Sequence, residues 1–409
     1  MPVRRPFDGW VVVAAVFIQL MTSSGLAFYG LAIYLDALTD EQAFSTTSVS
    51  LATSMFFVVS GVVGQIVARL LERYDVRLIV AAGGVVSSLS LYLLGGVGSV
   101  GELYAVYVLF AVGFALVGLI PATTVVTRWF QVRRATALSI ASTGLSVGAF
   151  TLSAPASALI DDRGLADAAP ILALIYLVLT ALVVPWLWPS PESRGLQPDG
   201  KMTGGEAVAV AADGIPYDQA IRTRFFAVLA AAFVLAMGAQ VGGLSQIANL
   251  GSERIDRAAG AAAITALALG SVIGRLVGGV LADRLPLIRL AAVLSVGQGL
   301  ALIGIGLADS RAALVVIAFV FGTTVGNLLM LQPLITAAGF GVLAYPRIFA
   351  LLSLIVTAGV AGGPFLLGFL RDQSSYQTSY VVAGLLSFGA AVVFTATRIP
   401  RPSPETVAG

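Results

Sequence analysis

Residues 270–284 read Gly270-Ser271-Val272-Ile273-Gly274-Arg275-Leu276-Val277-Gly278-Gly279-Val280-Leu281-Ala282-Asp283-Arg284. They close an apolar run that starts near position 258. A bilayer is crossed by roughly 20 mainly apolar residues in helical conformation, and this run is long enough. It holds one charge, Arg275, and ends on an acid–arginine pair, Asp283-Arg284. An earlier apolar run ends the same way, on Ala68-Arg69-Leu70-Leu71-Glu72-Arg73. Glu72 and Asp283 lie 211 residues apart. Gly144 and Gly148 have counterparts in Gly359 and Gly363, 215 residues further on. Two matched pairs at nearly one offset point to a unit of about half the chain that occurs twice.

Working outward, similar runs occur at about 11–35, 46–68, 78–98, 102–127, 135–159 and 169–188. Six more follow at about 225–250, 258–282, 288–308, 312–336, 345–370 and 377–397. Each is long enough to span a membrane. The sequence therefore predicts an all-α membrane protein, with twelve transmembrane helices in two pseudo-symmetric six-helix bundles. The expected divisions are 1–188 and 225–397 for the bundles, 189–224 for a cytoplasmic linker and 398–409 for a cytoplasmic tail. The linker carries Pro189, Pro191, Pro198, Gly204, Gly205, Asp213 and Pro216, a composition suited to a solvated connection. Composition agrees: of 409 residues, 58% are hydrophobic and 11% charged, where soluble domains carry about 25% charged residues. The basic start, with Arg4 and Arg5, resembles a signal peptide, but the apolar run after Trp10 is longer than an h-region of about 7–15 residues. It reads as a first membrane helix that stays in the protein.

Orientation comes from arginine and lysine. With a cytoplasmic N-terminus, 17 of the 23 basic residues fall in cytoplasmic loops or tails and five outside, with Arg275 left inside a span. The outer five are Arg163, Arg254, Arg257, Arg311 and Arg371. This bias places both termini in the cytoplasm of a multi-pass inner (plasma) membrane protein. The net charge of +2 gives no basis for nucleic-acid binding. The chain has neither cysteine nor histidine, so disulfides, Cys/His metal sites and histidine proton relays are excluded. No cofactor, metal site or catalytic set is expected, and the chain does not read as an enzyme.

Gly279-x-Leu281-x-Asp283-Arg284 resembles the short cytoplasmic loop signature of the major facilitator superfamily, and 68–77 is a degenerate copy. Charge-assisted bonds between acid and arginine in such a loop can hold one conformation closed. Glu72, Arg73, Asp283 and Arg284 are thus gating candidates, with plain topological charge as the competing reading. The stretch Arg128-Trp129-Phe130-Gln131-Val132-Arg133-Arg134, followed by small residues up to Gly148, resembles the fifth-helix motif of the monocarboxylate transporter family and of the related oxalate–formate antiporter group. Asp8-Gly9-Trp10 resembles the N-terminal motif of that family. Gly362-Gly363-Pro364, with Gly368, Asp372, Tyr376 and Tyr380, resembles the end of its eleventh helix. Arg133 and Arg134 join the gating candidates. Gly144, Gly148, Gly359 and Gly363 read chiefly as close-packing positions.

Arg275 lies seven residues, about 10 Å, before Ala282. A charge at that depth costs at least a few kcal/mol on insertion scales. Its helix neighbours Ser271, Gly278 and Gly279 are small and include no acid. This leaves room for a cavity, where a guanidinium fork suits a carboxylate. Snorkelling to the interface, or pairing with an acid on another helix, are the competing readings. The resemblance implies that this eighth-helix arginine binds the substrate carboxylate. Three departures restrict what is carried over. Ser271 replaces an acid found in many members, Gly30 stands where some carry a first-helix lysine, and no second eleventh-helix cation is evident because Arg347 sits at that span's start. No carboxylate lies well inside a span, which argues against coupling to protons through an embedded acid. A lone cation favours a monoanion.

Gln19, Tyr29, Gln240, Gln246, Asn249, Asn327 and Gln332 are the other embedded polar residues. Such residues face the bundle interior, either bonding between helices or lining a cavity. Tyr29, Asn327, Gln332, Gln246 and Asn249 join Arg275 as substrate-site candidates. The expected function is secondary active or facilitative transport of a small organic anion, foremost a monocarboxylate, by rocker-switch alternating access. Its partners would be that anion, the bilayer, and a proton or exchanged anion. The alternative is an exporter of drugs or other metabolites from the same superfamily.

Overall fold

In a computed structural model, the structure describes residues 7–40, 44–200, 214–396 and 399. Arg4, Arg5, Lys201, Arg398 and Arg401 lie outside these, as do Gly204, Gly205, Asp213 and all of the expected 398–409 tail but residue 399.

Among the described residues, twelve helices are long and apolar enough to cross a membrane. They are α1 (Asp8–Thr39), α2 (Thr47–Arg73), α3 (Val76–Leu94), α4 (Val100–Trp129), α5 (Arg134–Arg163), α6 (Leu165–Trp186), α7 (Arg224–Arg254), α8 (Ala258–Ala282), α9 (Leu287–Leu307), α10 (Arg311–Phe340), α11 (Tyr345–Gln373) and α12 (Tyr376–Thr395). Each predicted run appears as one helix, most of them extended by several residues. The extensions lie mainly at C-terminal ends, as at 69–73, 160–163 and 251–254, where charged residues end the apolar pattern but not the helix. Ser45, Asp75, Ser99, Thr223, Asp256, Ser310 and Ser375 each accept a hydrogen bond from a backbone N–H in the first turn. A cap of this kind contributes about 1 kcal/mol.

The chain divides into two compact units, Met1–Ala211 and Ala212–Gly409. In the first, α1 packs along α5, and α4 packs between α2 and α3. Its core includes the fully buried Tyr34, Phe56, Phe110 and Tyr176. In the second, the main pairs are α8 with α10, α7 with α11, and α9 with α12.

The matched glycines do the same job in each unit. Gly144 and Gly148 of α5 lie against the backbone carbonyls of Phe17 and Met21 in α1. Gly359 and Gly363 of α11 lie against those of Val234 and Gly238 in α7. A side chain at any of the four would collide with backbone, so glycine here is what lets the two helices approach.

Two single π turns interrupt the first unit, at Ser24–Phe28 in α1 and Ala149–Ser153 in α5. They touch. Ser24 Oγ donates to the Leu145 carbonyl at 2.9 Å, and Ser153 Oγ donates to the Gly25 carbonyl at 2.8 Å.

The segment after α6 is strapped onto the first unit. The Asp199 carboxylate accepts from the backbone N–H groups of Val132 at 2.8 Å, Gln131 at 3.1 Å and Arg133 at 3.4 Å. Arg194 reaches Asp8 at 3.3 Å and stacks over the Trp188 ring. Just before α7, Ile215 N–H donates to the Phe340 carbonyl, and the Arg347 guanidinium covers the Tyr217 ring at 4.0 Å.

Candidate functional site

The second unit holds a guanidinium in its interior. Arg275 is 4% exposed. Its Nε donates to the Gly326 carbonyl of α10 at 3.3 Å. Gly326 lies near the middle of α10, so the side chain crosses to that helix instead of snorkelling along α8 to the bundle end.

Small residues create this crossing. Along α8, Gly270, Gly274 and Gly278 recur every four residues, and along α10 Gly322 and Gly326 do the same. Gly270 lies against the Phe319 carbonyl, Gly322 against that of Leu267, and Gly326 against the Ser271 carbonyl and the Arg275 stem. The sequence reading assigned the small face around Arg275 to a cavity. At Gly278 the space is instead filled by the Asn327 side chain. Small residues on facing helices attract a backbone before they leave a void.

Asn327 is 5% exposed. Its Nδ2 donates to the carbonyls of Gly274 and Thr323, both at 2.8 Å. Its Oδ1 is buried without a hydrogen-bond partner. Gln332, five residues further along α10, donates to Ser353 Oγ of α11 at 3.3 Å.

Two other predicted residues lie apart from this group. Gln246 accepts from Ser379 Oγ of α12 at 3.3 Å, and Asn249 is exposed. Gln246 is eight residues from the end of α7 and Arg275 is 17 from the start of α8 at Ala258. At 1.5 Å per residue their heights differ by about 14 Å.

Tyr29 belongs to the first unit. It directly follows the α1 π turn, is 40% exposed, and lies edge-on to Phe28 at 5.1 Å. Gln19 donates to the Val117 carbonyl of α4 at 2.6 Å, tying two helices of that unit together. Gln240 is buried with its Oε1 unpartnered.

The predicted gating residues lie at loop ends. Glu72 and Arg73 are exposed at the end of α2, and no ion pair joins them among the described residues. Asp283 and Arg284 are exposed just past α8. Arg134 bonds to the end of α4: its Nε and Nη2 donate to the Phe130 and Thr127 carbonyls at 2.9 and 3.2 Å. Arg133 is exposed.

Sequence reasoning missed the Gly326 carbonyl and the π turns. The first was readable in principle, since the α10 glycines repeat the four-residue spacing of those in α8. The π turns leave no such mark, because they arise where α1 and α5 interlock. Single π turns are frequent at functional positions.

Two compact units of six membrane-spanning helices each, with matched glycine contacts, are an architecture that membrane transporters use. The family model of the Major Facilitator Superfamily matches residues 15–338, and the chain belongs to that superfamily. It is similar to human monocarboxylate transporter 11, with 28% identity over 97% of this chain and 84% of the relative. It is also similar to rat monocarboxylate transporter 13, with 26% identity over 95% and 88%. Among solved structures, the Escherichia coli fucose:proton symporter FucP superposes with a TM-score of 0.72 over 94% of this chain and 97% of its own, at 14% identity. The human organic anion transporter TETRAN superposes with a TM-score of 0.70 over 95% and 100%, also at 14% identity. At that identity the likeness carries the fold alone.

Proposed function

We propose that this transporter carries a small organic anion, foremost a monocarboxylate, across the cytoplasmic membrane by alternating access, with both termini in the cytoplasm. One observation carries the reading: Arg275, 4% exposed at the middle of the α8–α10 contact. A guanidinium matches a carboxylate in shape and hydrogen bonding. The monocarboxylate transporter relatives support the same substrate class. Gln332 is a further contact in this reading. The loop residues Glu72, Arg73, Arg133, Asp283 and Arg284 bias the balance between conformations.

The test is a thermal-shift panel of short mono- and dicarboxylates on the purified protein, repeated on Arg275→Ala. Ligand at about 100 times its Kd stabilises a folded state by about 2.7 kcal/mol. A monocarboxylate should raise the midpoint of the parent and not of the variant. Equal shifts in both proteins, or a response only to cationic amphiphiles, would replace the anion reading with that of a drug exporter.

A further inference from the structure

Gly274-Arg275 on α8 and Gly326-Asn327 on α10 exchange hydrogen bonds. Arg275 Nε donates to Gly326, and Asn327 Nδ2 donates back to Gly274. The two bonds run in opposite directions between consecutive residues. An amide nitrogen carries two donors, and both of these are used, on Gly274 and on Thr323. The remaining oxygen lies buried against Gly278, where a Cβ would overlap it. Asn327 therefore has no donor left for an anion, and its one vacant position would repel one.

We propose that Asn327 is a positioning residue for Arg275 and not a contact of the substrate. The amide fixes the register of α8 against α10. A slide by one residue, about 1.5 Å along the axis, would break both exchanged bonds. While the register holds, Gly326 anchors Nε and the guanidinium is presented at one height. Gly278 is required because it alone gives the amide its place. This rests on the carboxylate reading of Arg275.

The experiment measures affinity for the tightest binder among formate, lactate, pyruvate and benzoate, alongside the thermal midpoint, for a set of variants. Arg275→Lys weakens binding, since an ammonium lacks the Nε–H and the planar fork. Asn327→Ala weakens it about tenfold, within the range of coupling between residues in contact. Gly278→Ala weakens it equally with Asn327 still present, by displacing the amide. In the Arg275→Lys background, Asn327→Ala adds no further loss, because it acts through the guanidinium. Adding Asn327→Ala to Gly278→Ala restores the midpoint lost to overlap but not the affinity. Asn327→Ser, which cannot reach α8, replaces the alanine variant if that fails to fold. Full additivity on Arg275→Lys, or parental affinity in both Asn327 variants, would overturn the positioning role alone. Parental affinity in Arg275→Lys, or no binding of any panel acid to the parent, would remove the carboxylate reading and the proposal with it.

Discussion

Burying a guanidinium among helices costs a few kcal/mol on insertion scales. The hydrogen bond from Arg275 to Gly326 returns part of that, roughly 1.5–3 kcal/mol for a bond from a charged donor. Methionine keeps most of the apolar volume of the arginine stem and removes the desolvation cost of the charge. Arg275→Met is therefore expected to keep a thermal midpoint within about 5 °C of the parent while losing all carboxylate-induced shift. Loss of the folded protein in size-exclusion chromatography would make Arg275 a structural residue. Its candidacy was legible in the sequence because a single charge stands out in an apolar run. The role of Asn327 was not, because an amide in a helix gives no sign of where its donors go until the facing backbone is in place.

At the scale of elements, the glycine pairs separate packing from propensity. Gly363 of α11 is buried against the Gly238 carbonyl, while its neighbour Gly362 is exposed and has no atom within 4 Å of where a Cβ would stand. Adjacent substitutions should have opposite outcomes. Gly362→Ala is expected to be neutral or to stabilise by up to about 1 kcal/mol, the helix-propensity difference between the two residues. Gly363→Ala must push α7 and α11 apart and should lower the midpoint and the yield of monodisperse protein. Gly148→Ala should do the same in the first unit, where the Met21 carbonyl takes the place of Gly238. If Gly363→Ala were as stable as Gly362→Ala, the close approach of α7 and α11 would be wrong. The four-residue spacing of these glycines was readable before the structure, as were the twelve apolar runs. Which helix each glycine would touch was not, since a spacing defines a face and not its partner. The helices also run on through charged residues at 69–73, 160–163 and 251–254, past the apolar portions that the sequence pattern marks.

For the whole molecule, the count of spans and the excess of arginine on alternate loops were the strongest signals, since both integrate over hundreds of residues. The loop between α4 and α5 is flanked by Arg128, Arg133 and Arg134, whereas the one between α11 and α12 has Arg371 alone. In the proposed orientation, which follows the positive-inside rule, the first is cytoplasmic and the second external. The native chain has no cysteine, so each introduced thiol is the only reactive one in the protein. Val132, 68% exposed in the α4–α5 loop, and Ser374, exposed between α11 and α12, are suitable positions. In intact cells, Ser374→Cys is expected to react with a membrane-impermeable maleimide and Val132→Cys only with a permeable one. Permeabilised cells should label both. Asp199 binds the backbone around Val132 and not its side chain, so the substitution leaves that strap in place. The reverse labelling pattern would invert the protein in the membrane. Labelling of both sites from outside would break the count of spans between them, and with it the pairing of the two six-helix units.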